Sequence, residues 1–154
     1  MFREMRRIGN ALPKEEAIAM MQKATNGVLS VSGDDGYPYG VPVSFTYGDN
    51  QIIFHCATEG HKLDAIKRNP KVSFCVVEQD QIIPQDFNTL YRSAIAFGQA
   101  RILEGEEKRD YIEAIAKKYA PDFDKEAKAY IASDWSAFNV VVIDVEHITG
   151  KAGD

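Results

Sequence analysis

The run Gln51-Ile52-Ile53-Phe54-His55-Cys56-Ala57-Thr58-Glu59-Gly60-His61-Lys62 changes its periodicity midway, and that change decides the fold. Residues 51–57, rich in β-branched and aromatic types, predict a short strand. From Glu59 to Arg68 the apolar positions become Leu63, Ala65 and Ile66, a helical spacing that stops at Asn69-Pro70, where proline disfavours helical geometry in the residue before it. A strand, a glycine-bearing turn and a helix start therefore follow one another directly. That junction suits an anion. Free N–H groups and the helix dipole favour a phosphate there, Gly60 lets the backbone approach, Lys62 supplies a point charge and Thr58 a hydroxyl. The competing readings are a solvated Lys62, an exposed His61 at a helix start, and a His55 hydrogen-bonded within its strand.

Working outward, Pro13-Lys14-Glu15-Glu16 opens a helix with Ala17, Ile18, Met20, Met21 and Ala24 on one face, ended by Asn26-Gly27. Val28 to Val31, Tyr39 to Tyr47 and the run from Gln51 read as three successive strands of an antiparallel meander, separated by Gly33-Asp34-Asp35-Gly36 and Gly48-Asp49-Asn50. Val72 to Val77 predicts a fourth strand, and Gln79 to Asn88 a loop or irregular edge. Tyr91 to Leu103 reads as one long strand with Gly98 at a bulge or close approach. Helical spacing returns from Glu106 to Tyr119 and, after Pro121, from Lys125 to Ala132. Phe138 to Ile148 predicts a core strand. Six strands joined mostly by short turns, with helices at the start, after the third strand and before the sixth, fit a β-barrel with helical caps better than a βαβ sheet.

Composition narrows the function. A chain of 154 residues, 45% apolar, supports one core, so residues 1–154 are expected to form a single domain. A net charge of -5 argues against a general nucleic-acid binder. No stretch has membrane-spanning length and no apolar leader follows the basic N-terminus, which predicts a soluble, cytoplasmic protein. Cys56 and Cys75 lack C-x-x-C spacing and read as reduced, buried thiols. A zinc site at His55, Cys56 and His61 is disfavoured because adjacent strand residues point to opposite faces, so no metal is expected. There is no G-x-G-x-x-G, P-loop, G-x-S-x-G or H-E-x-x-H motif.

The run from Phe54 to Lys62, followed by Ile66 to Asn69-Pro70 and Val72-Ser73-Phe74, resembles the FMN-binding split-barrel superfamily related to pyridoxamine 5′-phosphate oxidase, and within it the nitroimidazole-resistance type of flavoprotein. Tyr39-Gly40-Val41-Pro42-Val43-Ser44-Phe45, Tyr91-Arg92-Ser93, Phe97-Gly98-Gln99-Ala100 and Glu106-Glu107-Lys108 extend the resemblance over about residues 1–151. It implies a mainly β, six-stranded antiparallel Greek-key split β-barrel with helical caps. It also implies a homodimer with FMN at its interface. The phosphate would lie near His61 and Lys62 with Thr58 beside it, and Val41, Pro42, Val43, Ser44, Phe45, His55, Cys56 and Ala57 would line the ring and ribityl chain.

Tyr91 and Ser93 match the position from which such proteins reach the flavin, and Trp135 precedes the final strand where an aromatic could cover the ring; Tyr91 and Trp135 could equally be barrel or dimer-interface aromatics, and Ser93 a strand hydroxyl. The activity implied is reduction of a small, electron-poor, nitroaromatic-like acceptor by a nicotinamide donor. His55 is the candidate catalytic group, being titratable near neutrality. A non-catalytic flavin-binding module, or a split barrel using deazaflavin or haem, is the alternative. Pyridoxamine phosphate oxidation itself is disfavoured by the lack of a basic cluster for the substrate phosphate.

Overall fold

The computed structural model describes residues 1–153. Eight strands and four α-helices occur among them, in the order β1 (Ala11–Leu12), α1 (Lys14–Lys23), β2 (Gly27–Ser32), β3 (Pro38–Val43), β4 (Thr46–Gly48), β5 (Gln51–Ala57), α2 (His61–Arg68), β6 (Lys71–Ile83), β7 (Asn88–Leu103), α3 (Arg109–Tyr119), α4 (Asp124–Ser133) and β8 (Phe138–Gly153). All strand pairs are antiparallel. The sheet runs β3-β2-β6-β7-β8-β5-β4, with β1 attached to β8.

The strand count corrects the expectation of six. The run Tyr39 to Tyr47 is two strands, because the chain turns away at Ser44-Phe45 and leaves β3 and β4 at opposite ends of the sheet order. The three-strand meander is therefore absent: β2 pairs with β3 and β4 pairs with β5, but β3 and β4 do not pair. Those two end strands are consecutive in the chain, so the sheet rolls into a barrel whose ladder stays open between them. This is the split β-barrel with helical caps.

Residues 79–88 also differ from expectation. β6 and β7 stay paired from Val77/Ser93 to Ile83/Asn88, past a bulge between Val77 and Gln79, and turn through a 3-10 segment at Pro84–Asp86 with Phe87 in the left-handed region (φ 51°). At Gly98 the β7/β8 register slips by one residue. A Cβ there would meet the Asp144 carbonyl oxygen, so the glycine marks both a bulge and a close approach.

Two apolar layers follow from strand alternation. Inside the barrel, Leu29, Phe45, Phe54 and Phe74 are buried with Met20 and Met21 of α1, which plugs one end. Each such side chain contributes roughly 1.5–3 kcal/mol by leaving water. On the outer face of β5 and β8, Ile53, Val140 and Val142 pack under Ile112 and Ile115 of α3. No described helix is long and apolar enough to cross a membrane.

Candidate functional site

β5 is laddered unevenly. Its first residues, Gln51 to Ile53, pair with β4 on one side, while the whole strand pairs with β8 on the other. His55, Cys56 and Ala57 therefore have one edge with no ladder partner among the described residues, and β3, paired only with β2, has another. Two features place these edges near one another. At the bottom, Ser44 and His55 line the same cleft. At the top, the Tyr39 ring of β3 stacks on the His61 imidazole of α2, with centroids 4.0 Å apart. Gly33 lies beside that stack, where a Cβ would collide with the Tyr37 carbonyl oxygen and crowd the Tyr39 side chain.

The groove between the two edges ends at the N-terminus of α2. No side chain caps this helix, which leaves its leading N–H groups available to a ligand. Gly60 takes φ 147°, a conformation open to glycine, and nothing stands within 4 Å of where its Cβ would be. Lys62 is half-buried and close enough to Cys56 to oppose the upward push that burial gives the Cys56 thiol. Asp34, the carboxylate facing His61 at 3.9 Å, is held by Arg68 at 2.8 Å. A phosphate fits this end: donors, a cation and an approachable backbone converge, and the nearby acid already has its own partner.

Alternation along β5 divides the residues beside the groove. Cys56 joins the barrel interior, whereas His55 faces the helices, its ring set edge-on to Phe138 at 6.3 Å. Burial lowers the His55 pKa, favouring the neutral imidazole. Val41 and Val43 are partly buried against the barrel core, Phe45 is fully buried, and Pro42 and Ser44 are exposed. Thr58 is exposed at the turn. Pro42 faces Val28 across the β2/β3 ladder on the strand at the sheet's end, as its missing N–H allows.

Tyr91, Ser93 and Trp135 are not brought to this groove within one chain. Tyr91 pairs with Gly153 of β8, while His55 pairs with Val140. The separation is roughly 40 Å of strand. Tyr91 and Ser93 share the outward face of β7 with the exposed Ile95 and Phe97. Trp135 packs edge-on to Phe138 at 5.9 Å, beneath the Lys108 ammonium and the Arg109 guanidinium. Phe138 thus stands between Trp135 and His55.

Three supporting residues escaped the sequence reading. Lys108 is buried, and its Nζ donates to the carbonyls of Trp135 and Phe138, fixing the turn into β8. Lys118 and Tyr119, at the end of α3, hold the break between β3 and β4. Lys118 donates to the Ala24 carbonyl and, at 2.9 Å, to that of Phe45. The Tyr119 hydroxyl accepts from the Phe45 N–H at 2.8 Å and has the Phe45 and Thr25 carbonyls as acceptors. A cation two residues from a helix end reads as an ordinary surface charge, so no local signal marks this clamp. Both cysteines are free, and among the described residues no group of three or more His, Cys, Asp or Glu is placed to hold a metal.

The family model of pyridoxamine 5′-phosphate oxidase matches residues 13–152. No curated protein matches the sequence. Among solved structures, the chain is similar to a candidate 5-nitroimidazole antibiotic resistance protein from Bacteroides thetaiotaomicron, at 23% identity over 92% of this chain and 86% of that one, with a TM-score of 0.74. It is also similar to a flavocytochrome from Azotobacter vinelandii (16% identity, 98% and 72% covered, TM-score 0.83). A third likeness is to an FAD-binding protein from Mesorhizobium loti (21% identity, 94% and 96% covered, TM-score 0.67). At these identities the likeness shows a shared fold.

Proposed function

The chain belongs to the pyridoxamine 5′-phosphate oxidase family, and from that premise we propose that it is a flavoprotein binding FMN along the groove between β3 and β5. The observation that carries this reading is the meeting of two unladdered strand edges at an uncapped helix N-terminus with Gly60 and Lys62. A flavin matches that shape, with hydrogen-bonding positions along one ring edge and a phosphate at the far end of its chain. The flavocytochrome and the FAD-binding protein of the same fold support a flavin.

In this reading Lys62, the first N–H groups of α2 and the Thr58 hydroxyl hold the phosphate. Main-chain groups of Val41 to Phe45 and of His55 to Ala57 take the place of ladder partners for the ring edge and ribityl chain. FMN, when bound, supplies the electron transfer between a reduced nicotinamide donor and a small, electron-poor, nitroaromatic-like acceptor. His55, whose neutral form is favoured by partial burial, offers one donor and one acceptor nitrogen at the groove's rim, so it can hydrogen-bond an acceptor and orient it.

The reading includes a homodimer. Tyr91 and Ser93 lie too far along the barrel to reach the groove of their own chain, so they serve a flavin only across a subunit boundary. The outward face beside them carries Val28, Cys75 and Ile95 in register across β2, β6 and β7, flanked by the exposed Val77 and Phe97. An apolar row of this kind suits a buried interface.

The test is the absorption spectrum of the purified protein, followed by anaerobic titration with a reduced nicotinamide. Flavin bands that bleach support the enzyme. Flavin that binds and never bleaches identifies a binding module, a haem-type spectrum redirects the cofactor, and a colourless protein that takes up no added FMN overturns the reading.

A further inference from the structure

Between α3, α4 and the outer face of β5 lies a second feature, a cleft of about 440 Å³. It belongs to the layer between helices and sheet and shares only Ser44 and His55 with the edges of the groove. Ile112, Ile115 and Ile131 form much of its walls, with the rings of Tyr130 and Phe138. Ala116 of α3 and Ala127 of α4 line it, and alanine side chains fill little of the space between the helices. Its volume lies within the range of roughly 300–1,000 Å³ typical of small-molecule sites, and apolar walls with a few convergent polar groups are their usual lining.

The charges in the cleft limit what it holds. No lysine or arginine lines it among the described residues, and its one formally charged group is the Asp134 carboxylate. A phosphate or carboxylate buried here would lose its hydration, gain no cation and face Asp134. An uncharged ring, in contrast, exchanges water for isoleucine and aromatic surface, and a single polar substituent can reach Ser44 and His55 at the inner end. Burial, which favours neutral His55, agrees with an uncharged guest.

We propose that this cleft is a binding site for an uncharged aromatic molecule of one or two rings, seated between α3 and α4 with its polar substituent against Ser44 and His55. The proposal goes beyond the flavin reading and does not require it, since apart from Ser44 and His55, which it shares with the β3–β5 groove, the residues lining the cleft lie outside that groove.

The test uses two naphthalene dyes of similar size on the protein as isolated: neutral prodan and anionic 8-anilinonaphthalene-1-sulfonate. Prodan is expected to saturate at one per chain with blue-shifted emission, and at least tenfold more tightly than the anionic dye. Ala116→Trp and Ala127→Trp each place a large ring in the cleft from a different helix, and each is expected to abolish prodan binding while leaving the circular dichroism and any flavin content unchanged. If one of the pair fails to fold, the other decides. Prodan binding that survives the filled cleft, equal binding of the two dyes, or displacement of prodan by FMN would overturn the proposal. A colourless protein that still binds prodan in this way would leave the proposal standing and remove only the flavin reading.

Discussion

The Tyr39 ring lies on the His61 imidazole at 4.0 Å and 27°, so the side chain of the first residue of α2 is engaged by β3 and is not free to follow a ligand. Lys62, the next residue, has no such partner among the described contacts and shares its surroundings with Cys56. The two neighbours named together by the sequence pattern therefore differ in what they can give a phosphate.

Lys62→Ala is expected to weaken FMN about tenfold to a hundredfold, the loss of one charge-assisted contact of roughly 1.5–3 kcal/mol. Riboflavin, which has no phosphate, should change little. His61→Ala should cost FMN only a few-fold, because the helix keeps its backbone N–H groups. Fluorescence titration with both ligands checks the order, and equal losses of FMN and riboflavin in Lys62→Ala would remove the phosphate role.

Tyr119→Phe removes the hydroxyl that accepts from the Phe45 N–H and leaves that donor without its partner. A stability loss of about 1–2 kcal/mol is expected in urea unfolding. Because the clamp sets where Ser44 turns off β3, flavin affinity should fall with it even in buffer where the variant is fully folded.

The pH dependence of stability should carry a mark from His55. Its folded pKa lies below the unfolded value, so the unfolded chain binds the extra proton first. Stability is unaffected well above pH 6.5 and falls as pH drops through that value toward the lower folded pKa. His55→Gln should flatten this slope just below pH 6.5. Asp144, whose carboxyl is pulled below its ordinary range by the hydrogen bond from Arg101, acts in a separate and more acidic window. Thermal melts across pH 5–7.5 compare wild type and variant, and identical slopes would show that His55 is not the group responsible.

Ile95→Lys places a charge at the β7 end of the outward row Val28–Cys75–Ile95. If that face joins two copies, sedimentation should show a monomer where the wild type is a dimer, with loss of flavin occupancy as Tyr91 and Ser93 are withdrawn. A variant that remains dimeric would point the interface elsewhere.

What could be read in the sequence was whatever a local pattern sets. The strand-to-helix change at Thr58–His61, the stop at Asn69-Pro70 and the bulge at Gly98 all lie where one residue type fixes the backbone. The misreadings share another cause. The arm made by Gln79–Ile83 and Asn88–Leu90 has no core beneath it to impose alternation, so its polar residues resemble a loop although the two strands pair throughout.

The break at Ser44-Phe45 is made by Lys118 and Tyr119, more than seventy positions away. The last residues of β8 include Gly150 and Gly153, poor strand formers by themselves. Gly150 sits tightly against Leu12, Ala17 and Met20, and Gly153 lies under the Tyr91 ring, where a larger residue would collide unless the ring moved. Of the candidate site, the strand end and the helix start at Gly60–Lys62 were legible because they are continuous in sequence. The opposite fates of His55 and Cys56 followed from strand alternation, but the cleft and the clamp depend on α3, which no spacing near His55 announces.

The unladdered edges of β3 and β5 also bear on the fate of the empty protein. A strand edge with free N–H and C=O groups is a template for the strand of another molecule. Uncovered, the chain displays two such templates side by side, that of β3 interrupted only at Pro38 and Pro42. On the proposed flavin reading, cofactor supply would govern more than electron transfer: copies made without flavin would be drawn toward one another edge to edge, and solubility would become a readout of flavin status.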